Sequence, residues 1–227
     1  MLTVANTNTA LDAANARGSG QIIYFDPITP EGLATGNGFL DLGYFPEGTR
    51  ISPNIEVNRE DLLAAGRESG ASVRIASVIA NSTIGYEIPV LTPDAQVRAL
   101  HAGAGAVIAT GETLAGVRAY QINPEAAVVG RFVFVKKRPN GPHTVIWHPR
   151  FELSANGTAD GDANSETLNF VGSVQAYRYK PAEAFAGMVT AIGQYGVMFE
   201  APTDAGLDAL LTALDAEALP DATPAQA

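Results

Sequence analysis

The stretch Val128–Lys137, VVGRFVFVKK, decides the fold class, because it is dominated by β-branched and aromatic residues. The turn sequence Pro139-Asn140-Gly141-Pro142 closes it. A second β-rich run, Thr144–Leu153 (TVIWHPRFEL), follows at once. Two such runs around a tight turn predict an antiparallel hairpin.

The segments around this hairpin extend the β pattern. Further strands are predicted at Gln21–Asp26, Phe39–Phe45, Ile51–Val57, Val73–Ala80, Ile84–Leu91 and Glu166–Tyr179. The first two of these resemble a hairpin with a long loop. Weakly apolar short strands are expected within Gly103–Asn123, and Ser154–Ser165 is predicted to be a polar loop. The 23 Gly and 14 Pro residues favour short strands joined by turns over long helices.

Two helices interrupt the strands. Thr92 is a suitable N-cap, Pro93 fits the first helical position and Asp94 complements the helix dipole, so a helix is predicted from Thr92 to His101. Near the other end of the chain, Thr203 can cap a short amphipathic helix. Its apolar positions are Leu207, Leu210, Leu211 and Leu214.

The segment Asn58–Ser72 (NREDLLAAGRESGAS) is dense in charged and small residues. Its composition allows a helix over Arg59–Ala65, but Gly66 and Gly70 limit that helix to about two turns. We interpret the segment as a mobile excursion between two strands.

The chain is therefore expected to be mainly β, a β-sandwich or barrel with one flanking α-helix and a short C-terminal helix. Residues 1–19 are small and polar without a strand pattern, which predicts a flexible N-terminal arm. Residues 20–200 form the predicted β domain. Residues 201–227 form an acidic C-terminal helix and tail.

Composition excludes several classes of protein. The formal net charge of −10, with only 14 Lys and Arg, argues against tight binding to nucleic acid phosphates. No cysteine is present, so neither a disulfide framework nor a thiolate metal site can form. Residues 1–15 lack the pattern of a signal peptide, and no run approaches the ~18 apolar residues of a membrane span. A soluble protein is expected.

No motif of catalysis or of cofactor binding stands out. His143 and His148 are separated by an odd spacing that places them on opposite faces of one strand, so they are expected to be surface or hydrogen-bonded core residues. The run Asp160–Asn164 begins like an EF-hand loop but lacks its glycine and its bidentate glutamate. Trp147 is expected in the core. No catalytic residue, cofactor or metal site is predicted, and the chain is expected not to be an enzyme.

As an ordered set, the segments resemble the major tail tube proteins of siphophages, phages with long non-contractile tails. The resemblance spans roughly residues 20 to 180, and its strength lies in the order of the segments. The segments that carry it are Gly20–Phe25, Phe39–Gly43, Ile51–Val57, Glu68–Val73, Tyr86–Asp94, His148–Leu153 and Glu166–Gly172. The N-terminal arm and the Ala-rich acidic tail depart from the family pattern.

The resemblance implies a virion protein of the phage tail tube type, assembled in the bacterial host cytoplasm. Such subunits form homo-hexameric rings that stack into a tube, and each subunit lends about four strands to a closed inner barrel. Its partners would be the tape-measure protein in the lumen and the tail terminator and baseplate proteins at the ends. Double-stranded DNA would pass through the acidic lumen without specific binding, and no membrane is involved.

Contact between subunits or rings is predicted at the charged excursion, where a solvated surface loop is the competing interpretation. The residues assigned to this contact are Arg59, Glu60, Asp61, Arg67 and Glu68. A close variant of the proposal is a tube protein of a contractile tail or type VI secretion system. The alternatives from other classes are a β-sandwich binding module, such as a capsid decoration or carbohydrate-recognition protein, and a glycan-active enzyme.

Overall fold

The computed structural model describes residues 20–28, 38–65, 72–91, 94–103, 116–120, 122–123, 125–138, 142–160, 166–176 and 195–216. In this part of the chain the fold is mainly β, with two helices. The strands are β1 (Gln21–Pro27), β2 (Leu40–Asp41), β3 (Asn54–Ala65), β4 (Ser72–Leu91), β5 (Val128–Lys136), β6 (His143–Asp160), β7 (Glu166–Val174) and β8 (Val197–Ala201). The helices are α1 (Ala95–His101) and α2 (Asp204–Ala216).

The strands form one large antiparallel sheet in the order β2-β1-β5-β6-β7-β4-β3. β6 pairs with β5 along one edge, and its other edge pairs first with β8 and then with β7. A single bridge between Tyr44 and Leu91 joins the segment after β2 to the end of β4. β2 and β4 lie near opposite ends of the strand order. Because the bridge brings these two ends together, the sheet curls and encloses one of its faces.

The face enclosed by the curl holds the larger hydrophobic core, here called the inner core. It comprises Ile23, Phe25, Leu40, Leu42, Ile51, Tyr86, Ile88, Val90, Val97, Leu100, Phe132, Phe134, Phe151, Leu153, Leu168, Phe170 and Val174. Two of these residues, Val97 and Leu100, belong to α1, so this helix packs on the enclosed face. Gly172 of β7 lies against the ring of Phe151, so that an added Cβ would be 2.0 Å from Cζ of Phe151.

A second layer covers part of the opposite face, and this outer core is built around α2. It comprises Phe39, Val133, Val135, Val145, Trp147, Ala201, Leu207, Leu211 and Leu214. In β5 the alternation of side chains sends Phe132 and Phe134 inward and Val133 and Val135 outward, so both faces of this strand are buried.

A register shift between β5 and β6 changes which residues of β6 face inward. The shift lies between Gly130 and Phe132 of β5, where Phe151 and His148 are the successive partners. Before it, Val145 and Trp147 face the outer core, whereas Phe151 after it faces the inner core. The irregularity therefore allows one long strand to serve both layers.

Several predictions are confirmed in the described residues. β5 and β6 form the expected hairpin, and β1 pairs with β2 as the expected hairpin with a long connection. In α2, Gly206 N donates a hydrogen bond of 3.1 Å to Thr203 Oγ1, and the predicted apolar stripe faces the sheet. Trp147 is buried in the outer core, as predicted.

The prediction for the segment after Val57 was wrong. β3 continues through Arg59 to Ala65 as a strand, so neither the short helix nor the start of a loop is formed there. β4 is likewise a single strand of 20 residues, where two separate strands were predicted. Pairing between β3 and β4 along this whole length overrides the weak helical preference of the sequence.

Two further boundaries are corrected, and one strand is added. The N-cap of α1 is Asp94, whose Oδ1 accepts a hydrogen bond of 2.8 Å from Val97 N, so the helix begins at Ala95 and not near Thr92. β6 extends to Asp160 through residues predicted to be a loop. β8 was not predicted at all. The N-terminal arm, the turn 139–141, residues 104–115, residues 161–165 and the acidic tail after residue 216 lie outside the described residues.

Candidate functional site

Strands β3 and β4 extend beyond the rest of the sheet as a two-stranded ribbon. β4 pairs with β7 only from Gly85 to Leu91, whereas β3 and β4 pair with each other from Asn54 to Ala65. Residues 55–65 and 72–84 thus form a projecting hairpin. With a rise of about 3.3 Å per residue, it is roughly 35–40 Å long.

One face of the projecting hairpin continues the inner-core face of the sheet. Ile84 packs against the inner core at the base, and its partner in register is Ile55. From Ile55 the alternation of β3 places Val57 and Leu63 on the same face, together with Ile79 opposite Arg59. We call these apolar positions, Ile55, Val57, Leu63 and Ile79, the hairpin inner face.

The hairpin inner face is exposed to solvent although its residues are apolar. The exposed fractions are 60% for Ile55, 44% for Val57, 60% for Leu63 and 55% for Ile79. Leu62 and Ile75 on the same hairpin are exposed to a similar degree, at 55% and 69%. Such a concentration of exposed aliphatic side chains on one ribbon is typical of a surface that another protein covers.

The charged residues assigned to subunit contact lie on this hairpin where the structure describes them. Arg59 and Asp61 lie on the same face as Val57, and Glu60 lies on the opposite face. Asp61 Oδ1 is 2.8 Å from Nε of Arg74, and both side chains are largely exposed. An exposed pair of this kind contributes up to about 1 kcal/mol. Residues 67 and 68, the remaining assigned positions, lie outside the described residues.

Sequence analysis identified the charged residues of the projecting hairpin as the contact site. The exposed apolar residues of the hairpin are the more unusual feature, and sequence analysis did not identify them. The signal was present in Ile55, Val57 and Ile79, which belong to the predicted strands. Their common face became evident only from the register between β3 and β4, because two shifts in that register place additional residues on β4.

The base of the hairpin is held by a polar contact with the segment before β8. The hydroxyls of Ser82 and Tyr195 lie 2.8 Å apart. Tyr195 also packs against the inner core and offers its carbonyl to His148 at 2.6 Å from Nδ1. The hairpin therefore leaves the domain at a fixed position.

The two histidines of β6 are hydrogen-bonded on opposite faces of the strand, as predicted. His148 is buried in the inner core, with Nε2 2.7 Å from the hydroxyl oxygen of Tyr86. Burial lowers the pKa of His148 to about 4, and the hydrogen bond to the Tyr195 carbonyl opposes this shift. Nε2 of His143 lies 3.0 Å from Asp204 Oδ1 of α2. Each imidazole has a structural partner.

A buried ion pair joins β1 to β5 beneath the outer layer. Arg131 donates two hydrogen bonds to Asp26 Oδ2, from Nε at 2.9 Å and from Nη2 at 2.6 Å. The guanidinium carbon also lies 4.7 Å from the centroid of the Phe39 ring. Burial raises the pKa of Asp26, and the attraction of Arg131 lowers it. This geometry supports a structural role for the ion pair. Sequence analysis did not identify the pair.

A pocket of about 510 Å³ lies on the inner-core side of the sheet, between α1, the segment around Ile122 and the second half of β6. Arg98 and Glu166 form an ion pair at its wall. Ile122, at its edge, is 81% exposed. The lining residues are Arg98, His101, Ala102, Tyr120, Ile122, Asn123, Ala155, Gly157, Thr158, Glu166 and Leu168.

Comparison with known proteins gives no relative: no protein-family model and no curated protein matches the chain. Among the described residues, neither helix has the length and apolar character needed to cross a membrane. Within the same residues, no group of three or more His, Asp or Glu side chains is placed to hold a metal ion.

Proposed function

We propose that this chain is a structural subunit of a bacteriophage tail tube of the siphophage type. In this proposal, six copies form a ring, the rings stack, and the acidic lumen conducts DNA during ejection. The observation that carries the proposal is the projecting hairpin, whose apolar inner face is exposed in the single chain.

The physical argument starts from the stability of the hairpin. A two-stranded ribbon without a core is at best marginally stable in water. The projecting hairpin is such a ribbon, because β4 pairs with β7 only from Gly85 onwards. Its apolar inner face is exposed, so the hairpin lacks the stabilisation that burial of these side chains would give. A second copy of the chain that covers this face would stabilise the hairpin, so association and ordering of the hairpin would be coupled.

The resemblance to tail tube proteins supplies the form of the assembly. Four strands from each of six subunits would give a barrel with a backbone diameter on the order of 45–50 Å, for strands ~4.8 Å apart and tilted by roughly 40°. A DNA duplex can pass through a bore of this size. The net charge of −10 per chain favours repulsion of phosphates, so the DNA would slide without being held.

The partners follow from the same proposal. The tape-measure protein would occupy the lumen before DNA, and the tail terminator and baseplate proteins would bind the two ends. Contact between rings would involve the charged positions of the hairpin, with Arg59, Glu60 and Asp61 as its described members. Assembly would take place in the bacterial cytoplasm, and the mature protein would be part of the virion.

Light scattering and negative-stain microscopy of the purified chain test this function. Over about a hundredfold range of concentration, mass should increase steeply and rings or tubes with a central channel should appear. A chain that stays monomeric throughout this range would contradict the proposal and favour a β-sandwich binding module. Binding of duplex DNA at low salt with the affinity of a basic protein would contradict the non-binding lumen.

A further inference from the structure

Tyr195 connects the projecting hairpin to the interior of the domain. Its side-chain hydroxyl lies 2.8 Å from Ser82 Oγ at the base of the hairpin, and it also donates a longer hydrogen bond of 3.3 Å to the Ser82 carbonyl. The backbone carbonyl of Tyr195 accepts a hydrogen bond of 2.6 Å from Nδ1 of the buried His148. One residue therefore contacts both the hairpin and the core histidine.

Ser82 lies where the hairpin leaves the sheet. β4 pairs with β7 from Gly85 onwards, so Ser82 is the third residue beyond the end of that pairing. From there to the tip, β3 and β4 have each other as pairing partners among the described strands. A contact at Ser82 therefore acts close to the point about which the hairpin would pivot, and its loss should allow the hairpin to change direction.

The close approach of Tyr195 to His148 depends on Gly196. This glycine has a φ of 145°, a backbone conformation that residues with a side chain rarely adopt. A Cβ at this position would lie 2.3 Å from the carbonyl oxygen of Trp147 and 2.6 Å from Nδ1 of His148. The absence of a side chain at Gly196 thus allows the backbone to lie directly against the edge of the imidazole.

The other neighbours of the imidazole are deeply buried. The rings of Tyr86, Phe132 and Phe151 lie 5.5, 5.8 and 6.2 Å from the imidazole between centroids. Each of these three residues is at most 2% exposed, whereas Tyr195 is only half-buried. Water therefore reaches His148 most readily when Tyr195 moves.

A protonated His148 would find no counter-charge among the described residues that surround it. β4 contributes the Tyr86 hydroxyl, and burial raises the pKa of Tyr86, so this group stays neutral. β5 and β6 contribute the uncharged rings of Phe132 and Phe151, and the segment before β8 contributes the Tyr195 carbonyl. A buried imidazolium in these surroundings is stabilised by hydration, which requires Tyr195 to move away.

We propose that Tyr195 is a strut that holds the projecting hairpin in place, and that protonation of His148 releases this strut. In the docked state, the neutral imidazole donates to the Tyr195 carbonyl while the Tyr195 hydroxyl holds Ser82. In the released state, Tyr195 has moved, the imidazolium is hydrated and the hairpin pivots near Gly85. The inference concerns the single chain and does not depend on the proposed function.

Proton linkage sets the size of the expected pH effect. The pKa of His148 is about 4 in the docked state and returns to its ordinary value of 6.5 once the ring is hydrated. The released state therefore binds the proton more tightly. The ratio of released to docked hairpin should rise by up to about tenfold for each pH unit between pH 6.5 and pH 4.

Distances between two spin labels test the inference, because the natural chain has no cysteine. The double variant Ala76→Cys/Ala209→Cys places one label on the hairpin, about 20 Å beyond Ser82, and the other on the exposed side of α2. Electron paramagnetic resonance, at a concentration where light scattering shows a monomer, should give a narrow distance distribution at pH 7.5. A second, broad population should grow as the pH falls towards 4.

The single tryptophan of the chain shows whether the domain stays folded during this change. Trp147 is buried in the outer core, so its emission wavelength reports on the domain and not on the hairpin. The wavelength should stay constant over the pH range in which the broad population grows.

Substitutions in the labelled chain assign the change to the strut. Tyr195→Phe removes the hydroxyl that holds Ser82 and should give the broad population already at pH 7.5. Its matched control is Tyr120→Phe, which removes a hydroxyl from the pocket beside α1 and should leave the distribution narrow. His148→Gln should abolish the growth of the broad population in acid, whereas His101→Gln should retain it.

Gly196→Ala tests the histidine contact a second time, in case His148→Gln does not fold. The added Cβ would displace the backbone from Nδ1, so the broad population should be present at pH 7.5 and should depend less on pH. A distribution that stays narrow down to pH 4, or equal distributions for Tyr195→Phe and Tyr120→Phe, would overturn the inference. Broadening that persists in His148→Gln, or that coincides with a shift of the Trp147 emission, would overturn it as well.

Discussion

The hydroxyl oxygen of Tyr86 lies 2.7 Å from Nε2 of His148, inside the inner core. On the other side of the ring, Nδ1 is 2.6 Å from the carbonyl oxygen of Tyr195, which can only accept a hydrogen bond. Nδ1 therefore carries the proton, and Nε2 accepts from the Tyr86 hydroxyl. The imidazole is neutral in this arrangement, and its burial lowers the pKa to about 4.

This histidine should make the folded state less stable in mild acid. Between pH 6.5, the ordinary pKa of the side chain, and pH 4, the unfolded chain takes up a proton that the folded chain does not. The free energy of unfolding should fall with decreasing pH in this window, by on the order of 2–3 kcal/mol in total. Urea denaturation at a series of pH values measures it.

The control for this pH dependence is a second histidine. His148→Gln should remove most of the loss between pH 6.5 and 4, whereas His101→Gln, at a partly exposed position, should retain it. Equal pH profiles for the wild type and His148→Gln would show that His148 does not titrate as described.

The hairpin inner face should matter for assembly and little for the stability of the single chain. Ile79→Asp places a charge on an exposed apolar position, so it should raise the concentration needed for assembly by about tenfold or more. Its free energy of unfolding should change by less than about 0.5 kcal/mol. Light scattering and thermal denaturation provide the two measurements.

Asn81→Asp is the matched control, because it adds the same charge to the opposite face of the hairpin. Glu60 of the proposed ring contact also lies on that face, so this variant should raise the concentration needed for assembly, but by less than Ile79→Asp does. If both variants assembled equally well, the inner face would not be the contact surface.

The buried ion pair should be far more sensitive to substitution than the exposed one. Arg131→Met leaves the Asp26 carboxylate buried without its cation, and Asp26 Oδ1 already accepts no hydrogen bond from any described residue. The loss should be about 3–5 kcal/mol. Arg74→Met, which breaks the exposed pair with Asp61, should cost less than about 1 kcal/mol.

The double variant Asp26→Asn/Arg131→Met tests the cause of this loss. Removing the carboxylate charge together with its cation should recover part of the stability in urea denaturation. A double variant as unstable as the sum of its single variants would indicate that lost packing, and not the unpaired charge, is responsible.

Gly172 should not tolerate a side chain. A Cβ at this position would lie 2.0 Å from Cζ of Phe151, whose ring stacks on Phe132 at 4.1 Å between centroids. Gly172→Ala should destabilise the fold by about 1–3 kcal/mol, since the stacked rings must move. Gly85→Ala, one strand away, meets only a carbonyl oxygen at 3.6 Å and should shift the melting temperature little.

Sequence patterns predicted the parts of this fold that local chemistry determines. The β5–β6 hairpin and α2 were predicted because a turn sequence and a leucine stripe lie within the elements themselves. The strand character of Arg59–Ala65 was not predicted, because it arises from pairing with β4. β8 is short and gains its order from pairing with β6.

The candidate site was predicted only in part, for a similar reason. The sequence located the hairpin and its charged residues, but the common face of Val57 and Ile79 depends on a register that sequence alone does not give. The pair formed by Asp26 and Arg131 joins residues 105 positions apart, so no local pattern could reveal it.

That wide separation also bears on how the chain is made. β1 pairs with β5 along its full length, so it must wait until the second half of the protein has left the ribosome. Until then Ile23 and Phe25 have no sheet to join, and the nascent segment exposes them to chaperones and to other chains. Slow synthesis or truncation before β5 should therefore yield aggregates, not partly folded domains.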